Sequence, residues 1–531
     1  MRACLAVFLA SLTLTGVSRA GKFYPDDPLE RTPKPRHAAK VKPRKLSDFY
    51  DFFQNIFSPA GEHHARNKVI PAQAVNTLDE AMDSDWYTRR HYWKPMTIEE
   101  LITGPGEGRP PLEAGPWTIV AAKSEGITPG FHILDAAGVR YLLKFDPPDF
   151  PELATSADVV SAKLFHALGY FVPENHIVYF LPEQLRVGDD VELRDALGQK
   201  RKMTGRDVTD LLLNVPRNHE GKHRAVASRF LPGKPVGPFR FYGTRADDPN
   251  DVVRHEHRRD LRGLGVFAAW LAHDDSRAIN TLDMLIEESG VSFLRHHLID
   301  FGSTLGSASN GPNTPRNGDE YIFAWSPALK QFFTLGLWVP QWARKKFPGI
   351  PAVGHFESKV FDPLKWVPEY PNPAFVNRLP DDAFWAAKQV MAFTDDQIRA
   401  IVKTGRYSDH SAEEYIASAL IERRDKIGRA FFRQVLPLDR FALRDGRLIF
   451  VDLEIRHGFL DRRDYSIQWF SFDNETGRKT ALGGARSFDV PSVAEGGHAA
   501  AEIRSADPKK AVTVYLRRRG MMEVVGIERT W

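Results

Sequence analysis

The spacing of apolar residues changes twice along this chain, and these two changes restrict its fold more than any other feature of the sequence. Between Trp117 and Phe145, short β-prone runs alternate with glycine-containing turns. The apolar residues recur at helical spacing from Arg254 to Ala272 and again from Thr394 to Phe432, whereas residues 311–375, rich in Pro, Trp and Asn, are interpreted as long irregular connections. After Pro437 short strands and hairpin turns return. This order predicts an α+β protein with an antiparallel-sheet lobe, a mainly helical lobe and a small all-β, sandwich-like domain.

Capping boxes predict the starts of two helices in the second region. Thr394-Asp-Asp-Gln397 and Ser411-Ala-Glu-Glu414 each place a hydroxyl three residues before a side chain that can reach back to the cap. We expect these helices to end near Gly405 and Phe432. In the first region, Ala157 to Gly169 has helical spacing, and residues 181–223 are interpreted as an insertion.

The chain of 531 residues is long enough for three or four domains, at ~150 residues each. We divide it into six segments at the changes of pattern. They are a signal peptide (1–20), a basic, proline-rich leader (21–46), an N-terminal helical extension (47–116), the sheet lobe (117–233), the helical lobe (234–437) and the C-terminal β domain (438–531).

The first twenty residues are typical of an export signal. Arg2 precedes an apolar stretch, and Ser18-Arg19-Ala20 places small residues where a signal peptidase would cut before Gly21. We therefore expect an exported bacterial protein, periplasmic or extracellular. Cys4 is the single cysteine, which excludes disulfide frameworks and cysteine-based zinc sites. With 72 Lys+Arg against 68 Asp+Glu, the charge is too even to predict nucleic-acid binding.

Two features between the signal and the sheet lobe concern contact with other surfaces. The leader alternates prolines with lysines and arginines, which predicts a flexible, solvated linker; contact with anionic lipid or polymer is the alternative. Phe49, Phe52, Phe53, Ile56 and Phe57 form one stripe of a short helix with Ser47 as its N-cap. We expect this helix to dock on the main body, with insertion into a membrane interface as the alternative.

Three short motifs suggest chemistry on phosphate. Lys144 ends a strand after a glycine turn, where Gly126 and Gly130 would let backbone N–H groups approach phosphate. In the second motif, His273 to Asn280, Asp275 is followed five residues later by Asn280; an aspartate can accept a hydroxyl proton, and an asparagine amide oxygen can bind magnesium. In the third, Leu298 to Gly302, an apolar strand end delivers Asp300 to a metal. A hairpin fits between the second and third motifs.

With these motifs in this order, residues 117–305 resemble the protein-kinase-like superfamily, most of all its divergent bacterial and secreted members, the HipA-type and CotH-type kinases. The resemblance implies a bilobal core and binding of ATP and Mg²⁺. The implied roles are phosphate binding for Lys144, catalysis for Asp275, contact with the transferring phosphate for Arg277, magnesium binding for Asn280 and Asp300, and a hinge strand at Val226 to Leu231. For the acidic partner of Lys144 we choose Asp158, with Glu152 as the alternative.

The sequence also departs from the kinase pattern. Asp274 stands where an arginine is usual, and neither a full G-x-G-x-x-G nor an A-P-E segment occurs. The expected function is transfer of the ATP γ-phosphoryl group to an unknown hydroxyl acceptor on a protein or small molecule. Alternatives are a catalytically inactive pseudokinase or cell-envelope binding protein, and transfer of AMP on the same fold.

Overall fold

The structure is a computed structural model that describes residues 21–531 apart from 39, 59, 66–67, 124–129, 195–198, 324–328, 331, 336 and 484–486. The predicted export signal, residues 1–20, lies outside the described residues. Across the part of the chain that is described, no helix combines the length and the apolar character needed to cross a membrane.

A six-stranded sheet forms the first lobe. Its strands in chain order are β1 (Trp117–Ala122), β2 (Gly130–Leu134), β3 (Arg140–Lys144), β4 (Asn175–Phe180), β5 (Leu185–Val187) and β8 (His223–Arg229); β6 (Glu192–Arg194) and β7 (Lys200–Lys202) form a separate hairpin. The order across the sheet is β4-β8-β3-β2-β1-β5, antiparallel except where β1 pairs with β5. Tyr141 and Leu143 alternate into a core that backs the strand ending at Lys144.

Helix α3 lies between this sheet and the second lobe. The helices of the first half of the chain are α1 (Asp48–Phe57), α2 (Ile98–Thr103), α3 (Leu153–Ala167) and α4 (Gly205–Leu212). Every residue of α3 except His166 is buried. Val159 packs against Ile177 and Val226 of the sheet, whereas Val160 and Leu164 join the core of the helical lobe. A helix that is buried on all sides is fixed relative to both lobes.

The second lobe is mainly helical. It contains α5 (Arg259–Leu271), α6 (Pro373–Val376), α7 (Pro380–Val390), α8 (Asp395–Lys403) and α9 (His410–Phe432), with the strands β9 (Lys234–Pro235), β10 (Thr281–Glu288) and β11 (Val291–Leu298). A Cβ on Gly263 would lie 2.5 Å from the ring of Trp385, so glycine allows α5 to pack closely on α7. The Thr394 capping box is present. The Ser411 box is wrong, because Asp409 is the N-cap of α9 and accepts from the backbone N–H of Ser411.

Two sheets pack together in the C-terminal domain. Its elements are β12 (Leu438–Arg444), β13 (Arg447–Asp452), α10 (Leu453–Arg456), β14 (Ser466–Phe472), β15 (Lys479–Ala481), β16 (His498–Arg504), β17 (Ala511–Arg519) and β18 (Met521–Thr530). β12 and β13 form one sheet, and the other five strands form the second in the order β15-β14-β16-β17-β18. Leu438 and Leu448 share a core with Trp469 and Val514. The predicted α+β class, with its two lobes and a terminal β domain, is thereby confirmed.

The segments before the sheet lobe differ from the sequence prediction. The described residues between 21 and 46 form no helix or strand, but they are docked on the body and not the flexible leader expected. The Phe23 ring packs 5.0 Å from the Tyr515 ring, and Val41 is buried against Val236. Isolated apolar residues in an extended, proline-rich chain thus find separate pockets on the body. The helical extension is also less helical than expected, since the described residues between α1 and α2 contain neither a helix nor a strand.

Arg224 of β8 ties the sheet to both neighbouring layers. Its guanidinium donates to Ser156 Oγ of α3 at 2.7 Å and to the carbonyl oxygen of Gly405 at 2.5 Å. It also lies 3.7 Å from the Asp146 carboxylate, which caps the start of α3. Removing this side chain would leave several buried acceptors without a donor.

We predict that Arg224→Ala lowers the free energy of unfolding by about 3 kcal/mol, because it leaves a buried carboxylate unpaired. Arg206→Ala, which removes an exposed arginine from α4, is the matched control and should change stability little. Chemical denaturation of the full chain measures both. Equal unfolding midpoints for the two variants would contradict the proposed role of Arg224.

Candidate active site

A buried lysine joins two carboxylates from different parts of the chain. Lys144 Nζ lies 3.0 Å from Asp300 Oδ1, and it also forms an ion pair with Asp158 Oδ2. The lysine ends β3, Asp158 lies in the second turn of α3, and Asp300 follows β11. The side chains of Lys144 and Asp158 are nearly inaccessible to solvent, whereas that of Asp300 is 45% exposed.

The charges in this cluster support one another. Burial acts to lower the pKa of Lys144, but the carboxylates of Asp158 and Asp300 outweigh it and hold that pKa above its ordinary value. The ammonium group of Lys144 in turn lowers the pKa of Asp300. Burial raises the pKa of Asp158, a rise that Lys144 opposes. Asp300 therefore stays ionised at the solvent-accessible edge of the cluster.

The position of Asp158 is set by neighbours that sequence reasoning missed. Asn175 Nδ2 donates to Asp158 Oδ1 at 2.8 Å, and Ser228 Oγ donates to Asn175 Oδ1 at 2.7 Å. A single Asn and a single Ser in strands carry no spacing signal that would have revealed them. The alternative partner, Glu152, precedes α3 and accepts from the backbone N–H of Ser408 at 2.8 Å. The structure thus brings Asp158, and not Glu152, to Lys144.

Asp300 is held in an unusual backbone conformation. Its φ is +60°, a left-handed conformation that residues other than glycine seldom adopt. The next residue, Phe301, is fully buried, and its ring lies 5.0 Å from Phe165 of α3 and 5.9 Å from His273. This ring packing supports the turn and fixes Asp300 relative to α3.

The loop from His273 to Asn280 lies beside Asp300. Asn280 Nδ2 donates to the carbonyl oxygen of Asp275 at 2.9 Å. The backbone N–H of Ile299 donates to the carbonyl oxygen of Asn280 at 3.0 Å, which puts Asn280 next to the residue that precedes Asp300. Asp275, Asn280 and Asp300 are therefore brought to one region, as the motif order predicts.

Arg277 is surrounded by three carboxylates. Its Nε forms an ion pair with Asp275, and its Nη1 lies 3.3 Å from Asp48 Oδ2 and 3.7 Å from Glu369 Oε2. Asp48 begins α1, and Glu369 belongs to the long irregular segment before α6. Sequence analysis expected Arg277 to contact a phosphate and missed both additional acids, because they come from distant segments without any motif.

Two adjacent aspartates of this loop hold protons unusually strongly. Burial, assisted by Glu369 and Asp275, raises the pKa of Asp274 to about 8, although Asn313 donates to its Oδ2 at 2.8 Å. Burial raises the pKa of Asp275 to about 7, with Glu369 adding to the rise and Arg277 opposing it. A carboxyl group that titrates near neutral pH is suited to proton transfer.

Asn280 and Asp300 fit the requirements of a magnesium ion. Asp300 Oδ1 lies 3.0 Å from the ammonium group of Lys144, and the Asp300 side chain is 45% exposed to solvent. Carboxylate and amide oxygens are ligands that Mg²⁺ accepts, and it usually takes one or two protein ligands together with phosphate oxygens and water. Among the described residues, no cluster of three His, Cys, Asp or Glu side chains offers a site built from protein alone.

The predicted glycine turn is only partly described. Gly126 lies outside the described residues. Gly130 is in β2 opposite Lys144, and a Cβ there would lie 2.2 Å from the carbonyl oxygen of Leu143. The close approach of strands β2 and β3 therefore explains why residue 130 is glycine, and contact with a phosphate is not needed to explain it. The neighbouring Lys123, which sequence analysis did not select, has a pKa lowered by burial and by Lys144, and so lies close to the same cluster.

No protein-family model matches the chain, and no curated protein matches its sequence. Among solved structures, it is similar to the Helicobacter pylori proinflammatory kinase CtkA, with 12% identity over 60% of this chain and 98% of that one, at a TM-score of 0.31. It is also similar to the Golgi casein kinase, with 8% identity over 63% of this chain and 75% of that one, at a TM-score of 0.28.

The same Golgi casein kinase with Mn/ADP bound gives 10% identity over 63% of this chain and 73% of that one, again at a TM-score of 0.28. The two-lobed architecture of the present chain rests on its own element order and on the ion pairs described above.

We predict that Asp274→Asn weakens the pH dependence of stability. An unfolded aspartate has a pKa of about 4, so the folded chain retains a proton at Asp274 that the unfolded chain has lost. Folding is therefore favoured at low pH, and stability falls as the pH rises from about 4 to about 8. The variant should lose this contribution, up to about 1.4 kcal/mol per pH unit.

Thermal unfolding across this pH range measures the effect. Asp149→Asn, at an exposed loop position, is the control and should follow the wild type. The assignment fails if Asp274→Asn has the same pH dependence as the wild type.

Proposed function

We propose that the protein is a magnesium-dependent phosphotransferase that moves the γ-phosphoryl group of ATP to a hydroxyl acceptor. The observation that carries the proposal is the Lys144 ion pair with both Asp158 and Asp300, adjacent to a loop that presents Asp275 and Asn280. Such an arrangement has a cation for the phosphates, oxygen ligands for a metal and a carboxylate for the acceptor.

Each of these residues has a distinct task in the proposed reaction. Lys144 binds the α- and β-phosphates, and Asp158 keeps the ammonium group oriented and charged. Asp275 accepts a hydrogen bond from the acceptor hydroxyl and aligns its oxygen with the γ-phosphorus. A bond forms between that oxygen and phosphorus while the bond to the ADP oxygen breaks, and the hydroxyl proton passes to the Asp275 carboxylate.

The metal would be held by Asn280 Oδ1 and Asp300. When bound, Mg²⁺ would neutralise charge on the phosphate oxygens during transfer. Arg277 acts as a positioning residue in this proposal, because its ion pair holds the Asp275 carboxylate in place.

Two further parts of the proposal rest on the sequence. Asp274 in place of the usual arginine, and the lack of a full G-x-G-x-x-G, support placement with the divergent HipA-type or CotH-type kinases. Residues 1–20 support export to the periplasm or the exterior.

A second candidate is a nucleotide-binding protein without transferase activity. It is favoured by the surroundings of Arg277, whose guanidinium is shared with Asp48 and Glu369 as well as Asp275. An arginine held by three carboxylates is less available to a transferring phosphate. Nucleotide binding without turnover would support this candidate.

We predict that Asp300→Asn lowers the rate of ATP turnover by about 100- to 1,000-fold, because it removes a charged metal ligand. Conversion of ATP to ADP, with water or the protein itself as acceptor, gives the rate, and product masses distinguish phosphoryl from AMP transfer. The fold should persist, since Lys144 retains its ion pair with Asp158.

Asp149→Asn is the matched control and should turn over ATP like the wild type. A thermal-shift titration with ATP and Mg²⁺ should raise the unfolding midpoint of the wild type. Equal turnover by Asp300→Asn and the wild type would rule out the assigned role of Asp300.

A further inference from the structure

One segment of the helical lobe exposes an unusual amount of apolar surface. Six large apolar side chains between residues 329 and 339 are at least half exposed to solvent. We call them the apolar loop: Leu329, Phe332, Phe333, Leu335, Leu337 and Val339. Leu335 and Leu337 leave 91% and 88% of their surface in water. Grouped exposure of this kind marks a surface that contacts a protein or a membrane.

Within the segment that contains the apolar loop all charged residues are basic, although Lys345 is paired with Asp319 just before this segment. Residues 321–356 contain no Asp or Glu but four basic residues, so this stretch alone has a formal charge of +4, equal to that of the whole chain. Lys330, Arg344 and Lys346 are exposed. An anionic surface would therefore meet no repelling carboxylate from this stretch.

The base of the apolar loop is attached firmly to the body. Lys345 Nζ donates to the carbonyl oxygens of Pro315 and Asn317, both at 3.0 Å. Trp342 Nε1 donates to Glu320 Oε1 at 3.0 Å. Within the segment of the apolar loop, Thr334 Oγ1 donates to the carbonyl oxygen of Lys330 at 2.7 Å. The exposed side chains therefore extend from an anchored base.

Helix α1 exposes further aromatic side chains near the start of the acid-free stretch, residues 321–356. Phe49 and Phe57 are 73% and 62% exposed. The Phe57 ring lies 6.4 Å from the ring of Phe323, which is itself half exposed. The predicted docking of α1 on the body thus buries only part of its phenylalanine stripe.

We propose that the apolar loop is a membrane-docking surface that inserts into the interface of a bilayer containing anionic phospholipids. Its phenylalanine and leucine side chains enter the boundary between headgroups and acyl chains, while Lys330, Arg344 and Lys346 contact the headgroup phosphates. The combination of exposed aromatic and leucine residues with three exposed basic residues fits a bilayer with anionic lipids, which offers both an apolar interior and headgroup phosphates.

This docking would bring the candidate active site to the bilayer. The backbone N–H of Ile322 donates to the carbonyl oxygen of Glu369 at 2.8 Å, and that of Glu369 donates to the carbonyl oxygen of Asp274 at 3.0 Å. The acid-free stretch therefore begins two hydrogen bonds away from the loop that contains Asp275. The inference goes beyond phosphotransfer and does not depend on it.

Co-sedimentation of the full chain with vesicles tests the proposal. We expect binding to phosphatidylcholine–phosphatidylglycerol vesicles and much weaker binding to vesicles of phosphatidylcholine alone. A variant with serine at four apolar-loop positions should bind the anionic vesicles at least about tenfold more weakly. Its substitutions are Phe332→Ser, Phe333→Ser, Leu335→Ser and Leu337→Ser.

A matched variant replaces four exposed apolar residues elsewhere and should bind like the wild type. Its substitutions are Val69→Ser, Leu213→Ser, Val252→Ser and Met521→Ser. Both variants should keep the wild-type unfolding midpoint, since every replaced side chain is exposed. The proposal is overturned if the wild type does not bind anionic vesicles, or if the two variants bind equally. It is also overturned if the wild type self-associates through the apolar loop without binding lipid, as light scattering would reveal.

Discussion

The rest of the site depends on the two ion pairs that the ammonium group of Lys144 forms. This group connects the sheet through β3, the inter-lobe helix through Asp158 and the end of β11 through Asp300. A buried ion pair gains little stability overall, because desolvation offsets most of the attraction, but losing one partner is costly. The cluster therefore contributes mainly to position. The two lobes keep this position relative to each other because other arrangements would leave a buried charge without a partner.

Helix α3 also fixes the position of Asp300, one of the two candidate metal ligands. It provides both Asp158, which pairs with Lys144, and Phe165, whose ring stacks on Phe301 next to Asp300. Asp300 is thus held from one side by charge and from the other by ring packing. Because α3 is buried on all sides, a movement of the helix would disturb both contacts together. The left-handed backbone at Asp300 is tolerated for the same reason, since two independent contacts support it.

The sequence predicted those features that have a local pattern. Lys144 at a strand end, Asp275 and Asn280 at their spacing, and Asp300 after an apolar strand were found because motif order reflects element order. Asn175, Asp48 and Glu369 were missed because only the tertiary fold brings them to the site. In strand β16, Ala499, Ala500 and Ala501 favour a helix, so the sequence gives no sign of a strand there. Pairing with β14 and β17 overrides that preference. The docking of the leader was not predicted, because a single buried residue such as Phe23 produces no periodic pattern in the sequence.

The loop beside Asp300 carries an excess of acid that shapes its chemistry. Asp275, Glu369 and Asp48 lie around a single guanidinium, that of Arg277, and the buried Asp274 precedes Asp275 in the chain. Burial is the main reason that the pKa values of Asp274 and Asp275 rise to about 8 and about 7, and the nearby carboxylate of Glu369 adds to both rises. Any cation that enters competes with the protons on these carboxyl groups, so binding of a divalent ion should release a proton and lower both pKa values. If the proposed magnesium ion binds at Asn280 and Asp300, it would favour the ionised form of Asp275, which is the proton-accepting form in the proposed reaction.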